Sequence, residues 1–199
     1  MTILHHPGED VILAYANGSL KRALALVLGA HLESCALCRE SLALAEELGG
    51  VYLLDAPPAD LSGDALGHVL ERLEKPASPS ISVARPFSRR VGEIGKRYWL
   101  APGVWIHPLL KDGPERAYFL GAAPGKKLPR HGHKGVEMTQ VLQGEFFDAA
   151  TRYGAGDFLE AGEEVEHALH VGPDAPCVCL IASEGVPRGL PGLLMRLVA

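Results

Sequence analysis

Long apolar runs are missing from this sequence. No stretch approaches the ~18 to 20 uninterrupted apolar residues that a bilayer-spanning helix requires, which excludes such a helix from these 199 residues. The opening Met1-Thr2-Ile3-Leu4-His5-His6 lacks the basic-then-apolar order of a secretory signal, so the expected location is the cytoplasm. Cysteine is scarce: there are four, in two close pairs, Cys35/Cys38 and Cys177/Cys179. In a reducing compartment that spacing favours metal or redox chemistry over structural disulfides. Positive charge is scarce at the front. Residues 1–75 hold five Lys/Arg against eleven Asp/Glu, a balance of −6, whereas the remaining 124 residues balance at +1. An acidic surface repels phosphate backbones and argues against direct nucleic-acid binding there. Internal repeats and low-complexity tracts are absent too. With 47% hydrophobic and 22% charged residues, the composition is that of a globular protein rather than a disordered one.

Two textures divide what is present. From Ser19, a plausible N-cap, apolar residues fall at Leu20, Ala23, Leu24, Val27, Leu28 and Leu32, the spacing of a helix with one buried face. Shorter periodic runs lie around Val11, Ile12 and Tyr15 and from Leu42 to Leu48, the second expected to stop at Gly49-Gly50. A fourth helix is expected from about Ser62 to Glu74, with Leu66, Val69, Leu70 and Leu73 on one side. The three prolines between Lys75 and Pro86, set among small polar residues, read as an extended linker. Beyond it the pattern shortens to strands at Tyr98–Leu100, Val104–Ile106, Tyr118–Leu120, Met138–Leu142, Glu145–Phe147 and Cys177–Ile181, punctuated by Gly and Pro. Such a series predicts a sandwich or small barrel, and the apolar segment Leu190 to Val198 is expected to close it as a strand or helix.

His31-x-x-x-Cys35-x-x-Cys38 is the first chemical constellation. His31 and Cys35 share a helix face one turn apart, and Cys38 can swing in where the helix breaks. Structural zinc sites fill four tetrahedral N/S positions, so a fourth ligand is expected from the same domain: His6 or, failing that, His5. The bland alternative is two half-buried cysteines beside an incidental histidine. A metal staple suits a helical domain of this size better, because its core is thin. A thioredoxin-like redox pair would need βαβ surroundings that are not evident.

The second constellation is sharper. Gly125, then His131-Gly132-His133, Glu137 and Gly144, resembles the first conserved motif of the cupin family. His131 and His133 lie on one side of an extended segment, and Glu137 returns to that side. Gly156 through Gly162 to His167 resembles the second motif in spacing, although Gly162, Glu164 and Val171 stand where cupins usually carry Pro, Gly and Asn. Three imidazoles and a carboxylate suit Zn, Mn, Fe or Ni, and leaving these groups buried and unpaired would be costly. His68, His107 and His170 read as locally bonded histidines. Cys177 and Cys179 alternate in an apolar strand, so both thiols are expected to point into the barrel core, with oxidation sensing as the alternative if they gain access and thiolate character.

Taken together, the opening through His5-His6, Cys35-x-x-Cys38-Arg39, Val141-Leu142-Gln143-Gly144 and Cys177-x-Cys179 resemble the ChrR-type anti-sigma factors over nearly the whole chain. The resemblance implies a multidomain α + β protein: a small all-α zinc-binding helical domain (1–75), a linker (76–90) and a cupin barrel, a double-stranded β-helix or jelly roll (91–199). It implies that the helical domain sequesters an extracytoplasmic-function (group IV) sigma factor, with zinc held by His6, His31, Cys35 and Cys38. The cupin domain would be the sensor for oxidative stress, such as singlet oxygen or organic hydroperoxide, with a divalent metal, often zinc, on His131, His133, Glu137 and His167. That is regulation by binding, without turnover. A rival from another class is a metal-dependent cupin dioxygenase or isomerase, which needs an open metal position but no helical zinc site. A small-molecule sensor without sigma contact leaves the acidic helical part unexplained.

Overall fold

The computed structural model describes residues 2–74 and 96–185. Four helices come first: α1 (Glu9–Ala16), α2 (Arg22–Ser34), α3 (Ala36–Asp55) and α4 (Ala65–Glu74). The strands are β1 (Tyr98–Ala101), β2 (Val104–Asp112), β3 (Glu115–Ala122), β4 (His131–Gly132), β5 (Glu137–Gln143), β6 (Glu145–Asp148), β7 (Thr151–Gly154), β8 (Phe158–Ala161), β9 (Glu166–His167), β10 (Leu169–Val171) and β11 (Cys177–Ser183). They form a six-stranded sheet in the order β1-β2-β3-β11-β5-β8, a three-stranded sheet β10-β6-β7 and a two-stranded pair β4-β9. The expected order, helices and then an antiparallel jelly-roll barrel, is what the chain adopts. The expected linker at 76–90 and the segment Leu190 to Val198 fall outside the described residues.

Two helix boundaries differ from expectation, each for a physical reason. α2 starts at Arg22 with Lys21 in the N-cap position, and no side chain of its own caps it. Ser19 instead closes the preceding turn, its Oγ donating to the Ala14 carbonyl and its N–H to Asn17 Oδ1. The barrel supplies the missing cap, since Glu115 Oε2 on β3 accepts the Ala23 N–H at 3.0 Å. α3 also runs straight through Gly49-Gly50 to Asp55. Neither glycine takes a positive φ, and a penalty of ~1 kcal/mol each relative to Ala is not enough to stop a helix of twenty residues.

α2 is the hinge of the architecture. Its buried Ala23, Leu24, Val27, Leu28 and Leu32 sit on the outer face of the six-stranded sheet, in one cluster with Phe119, Met138, Phe158 and Leu180. At roughly 1.5–3 kcal/mol for each large aliphatic side chain, this burial dominates the docking. The barrel interior is a separate cluster that includes Ile106, Tyr118, Val141, Phe146 and Ile181. Side chains of β5 therefore alternate between two cores, Met138 outward and Val141 inward. Gly144, which ends the first cupin-like motif, has φ +72°, and a Cβ there would collide with the Pro176 carbonyl, so the turn requires glycine.

Asp157 pins the segment before α1 to the barrel. Its carboxylate accepts the N–H groups of Leu4 (2.7 Å), His5 (3.1 Å) and Gly154 (2.8 Å) and lies 3.3 Å from His5 Nδ1. Burial pushes its pKa up, but these donors outweigh that and hold it below the ordinary carboxylate value. The pin is therefore complete above the unfolded pKa, about 3.9, and is lost as pH falls through the lower folded value. Asp157→Ala is expected to cost about 1.5–3 kcal/mol in urea unfolding at neutral pH, the range for hydrogen bonds to a charged group. An unchanged midpoint would show that the segment is held by its apolar contacts alone.

Candidate metal centres

The first centre gathers at the junction of α2 and α3. Cys35 is the break itself: extended at φ −104°, ψ 107°, it ends α2 and caps α3. Cys38 therefore lies in the first turn of α3 rather than beyond a helix end, and turns back towards His31 on the last turn of α2. His6 arrives from the segment that Asp157 pins. His6 Nδ1 lies 3.4 Å from both Sγ atoms, and His31 Nε2 lies 3.3 Å from Cys38 Sγ. The four ligand atoms of His6, His31, Cys35 and Cys38 are all within 4.8 Å of one another. Metal–sulfur and metal–nitrogen bonds of ordinary zinc length place N and S ligands about 3.3–3.8 Å apart on a tetrahedron, so the spacing fits a metal ion. Of the two candidates for the fourth position, His6 is the one in the cluster. His5 faces Asp157 and stacks near Tyr153, with 4.3 Å between ring centroids.

Electrostatics favours a cation here. Burial, aided by the neighbouring Cys35, pushes the Cys38 thiol up to about 12, so thiolate forms only when a positive charge compensates it, as a bound metal does. Burial also lowers the His31 pKa, which keeps the imidazole neutral and able to donate a lone pair. Arg39 closes the corner by donating to the Leu32 carbonyl at 2.7 Å.

The second centre lies inside the barrel. His131 on β4 pairs across to His167 on β9, and Glu137 opens β5 opposite Ser183 of β11. His167 Nε2 is 3.2 Å from both His133 Nε2 and His131 Nε2. His131 Nδ1 meets the Pro129 carbonyl at 3.0 Å, and His167 Nδ1 meets Asp148 Oδ2 at 3.3 Å. Both Nδ1 atoms thus face acceptors and carry protons, leaving the Nε2 lone pairs aimed at a common point. Lone pairs converging at 3.2 Å repel unless a cation lies between them. His133 Nδ1 and Glu137 Oε2, 3.4 Å apart, are buried with no aligned hydrogen bond on either. Burial, then the neighbouring His131, lowers the His167 pKa, so it too is a neutral donor. The set of His131, His133, Glu137 and His167 fits a divalent ion.

Sequence reasoning missed Asp148, because a carboxylate 19 residues from its histidine carries no local signal. His68 is exposed beside Asp64, His107 Nδ1 donates to the Lys96 carbonyl, and His170 stacks on Phe147, so none joins a centre. Cys177 and Cys179 are both buried, with their sulfurs 3.6 Å apart. Hydrogen bonding to Cys177, then burial, drives the Cys179 thiol well above its ordinary pKa, which favours their reading as core residues over thiolate sensors.

Residues 89–187 match the family model of the ChrR cupin-like domain. The chain is 34% identical over 198 residues to the anti-sigma-E factor ChrR of Cereibacter sphaeroides, with 94% of this chain and 93% of that protein covered. Among solved structures, that of Rhodobacter sphaeroides SigE in complex with the anti-sigma ChrR matches with a TM-score of 0.77 at 34% identity, covering 92% of this chain and 100% of the matched one.

Proposed function

We propose that this chain, which belongs to the ChrR family of anti-sigma factors, binds an extracytoplasmic-function (group IV) sigma factor and withholds it from transcription. The observation that carries this reading is the surface left open by α3 and α4. α4 buries none of its residues, and Leu66, Val69, Leu70 and Leu73 form one exposed apolar face along it. The second half of α3 adds Leu48, Val51, Leu53 and Leu54, the last 87% exposed. An apolar helix face left without a partner in this way marks a protein interface. Its setting within the −6 balance of residues 1–75 suits a DNA-binding partner with a basic surface. The action is regulation by binding, not catalysis. No described helix is long and apolar enough to cross a membrane, and a sigma-factor partner places the action in the cytoplasm.

Two thiolates and two imidazoles in tetrahedral reach support zinc in the helical centre. The barrel donors support a divalent ion, zinc first, with Mn, Fe or Ni chemically compatible. Such an ion would bind His131, His133, Glu137 and His167 and set their geometry. Release under oxidative stress, such as singlet oxygen or organic hydroperoxide, is proposed to begin in the barrel. α2 rests on the outer face of the same sheet that carries Glu137, so a change in barrel packing reaches the helices directly.

Co-purification of the full chain with the sigma factors of its source, with metal content measured on each sample, tests the reading. Recovery of one sigma factor by the metal-loaded chain supports it. Failure to retain any, together with oxygen consumption by an iron-loaded barrel on a candidate substrate, would replace it with the enzyme reading. Within the barrel, Asp148→Asn is expected to weaken metal binding about 10–100-fold by releasing His167 from its fixed tautomer. Chelator competition reads the change, and unaltered affinity would remove Asp148 from the site.

A further inference from the structure

The His31 ring is fully buried, and its two nitrogens face different parts of the molecule. Nε2 points to Cys38 in the helical centre, whereas Nδ1 points at the outer wall of the barrel, 2.9 Å from Gln140 Oε1 and 3.1 Å from the Gly156 carbonyl. The amide orientation of Gln140 is set by its own nitrogen, which donates to the Val141 carbonyl at 3.2 Å and leaves Oε1 towards His31. A backbone carbonyl can only accept. Two acceptors thus converge on Nδ1, which must carry the proton, and the Nε2 lone pair is left for the centre.

Both acceptors belong to the barrel. Gln140 lies on β5, three residues after Glu137, and is 2% exposed on a face whose neighbours Met138 and Phe158 are apolar. Gly156 sits between β7 and β8 at φ +94°, its N–H donating to the Val141 carbonyl at 2.8 Å. A buried glutamine among apolar side chains is costly unless its hydrogen bonds are made, and here its carbonyl oxygen meets the one imidazole nitrogen that needs an acceptor.

We propose that Gln140 is a positioning residue for the helical metal centre, supplied by the barrel: it holds His31 in the Nδ1–H tautomer and orientation that metal binding requires. The proposal rests on the reading of His6, His31, Cys35 and Cys38 as a metal site. Metal affinity in the helices then depends on barrel docking. By linkage, metal in the helices strengthens docking to the same degree. β5 thereby carries Glu137 of one centre and, on its other side, the support of the second.

The test uses the full chain, the near-isosteric Gln140→Met, whose thioether is only a weak acceptor, and Gln140→Glu, which keeps a carboxylate oxygen. Cobalt(II) is titrated against a chelator and followed by its thiolate charge-transfer band, which reports the helical centre alone because the barrel donors contain no sulfur. Gln140→Met is expected to bind about tenfold more weakly, the low end for loss of an outer hydrogen bond, because the Gly156 carbonyl remains. Gln140→Glu should recover most of that loss. Affinity of a folded Gln140→Met variant equal to wild type would overturn the proposal. If that variant does not fold, 15N spectra of His31 in the zinc-loaded wild type decide: a proton on Nδ1 supports the proposal and a proton on Nε2 overturns it. Absence of any thiolate–cobalt band in the wild type would instead overturn the metal reading on which it rests.

Discussion

Cys38→Ser should empty the helical centre of zinc and weaken sigma-factor binding in the same variant. Cys38 is the only fully buried residue of α3, so apolar burial does little to fix that helix, and the metal would do most of it. Through the four ligands, the ion would join α3 to the end of α2 and to the segment carrying His6. Structural zinc contributes on the order of 10–16 kcal/mol of apparent binding free energy in small domains, so deleting a thiolate should cut retained zinc to a minor fraction. The orientation of the exposed α3 surface goes with it, and affinity for the sigma factor is expected to fall by roughly tenfold or more through linked folding. Mass spectrometry of metal content and a binding titration on the same sample check both parts. A zinc-free variant with wild-type affinity would show that the helices hold their arrangement without metal.

Both candidate centres were legible in the sequence as clusters of side chains because their signals are local. Helix spacing places His31 and Cys35 on one face, and strand alternation groups His131, His133 and Glu137, so short-range geometry predicts the ligands that the fold brings together. His167 was legible despite the departures at Gly162, Glu164 and Val171, since those positions shape the turn and not the donor. The supports were not legible. Glu115 caps α2 from 92 residues away, and Gln140 reaches His31 across 109. No periodicity links such pairs, and only the docking of α2 on the sheet creates them. Ser19 looked like a cap because the trans cap from the barrel is invisible in sequence. Gly49-Gly50 looked like a stop because glycine ends helices when its conformational freedom is used, and α3 does not use it.

Exchange of Leu66, Leu70 and Leu73 for serine should abolish sigma-factor binding while leaving zinc content untouched. All three are more than half exposed, and α4 buries nothing in the chain itself, so the usual cost of removing leucine from a core does not arise. If α4 is the partner's anchor, each of these side chains is buried only in the complex, and loss of about 1.5–3 kcal/mol per leucine compounds to well over a hundredfold in affinity. Hot-spot energies do not add fully, which makes that figure a floor to look for rather than a sum. Single replacements ranked by titration would locate the centre of the contact. Near-wild-type binding by the triple variant, with its metal intact, would move the interface off α4 and onto the exposed leucines of α3, a surface that Cys38 and the zinc it would hold orient directly.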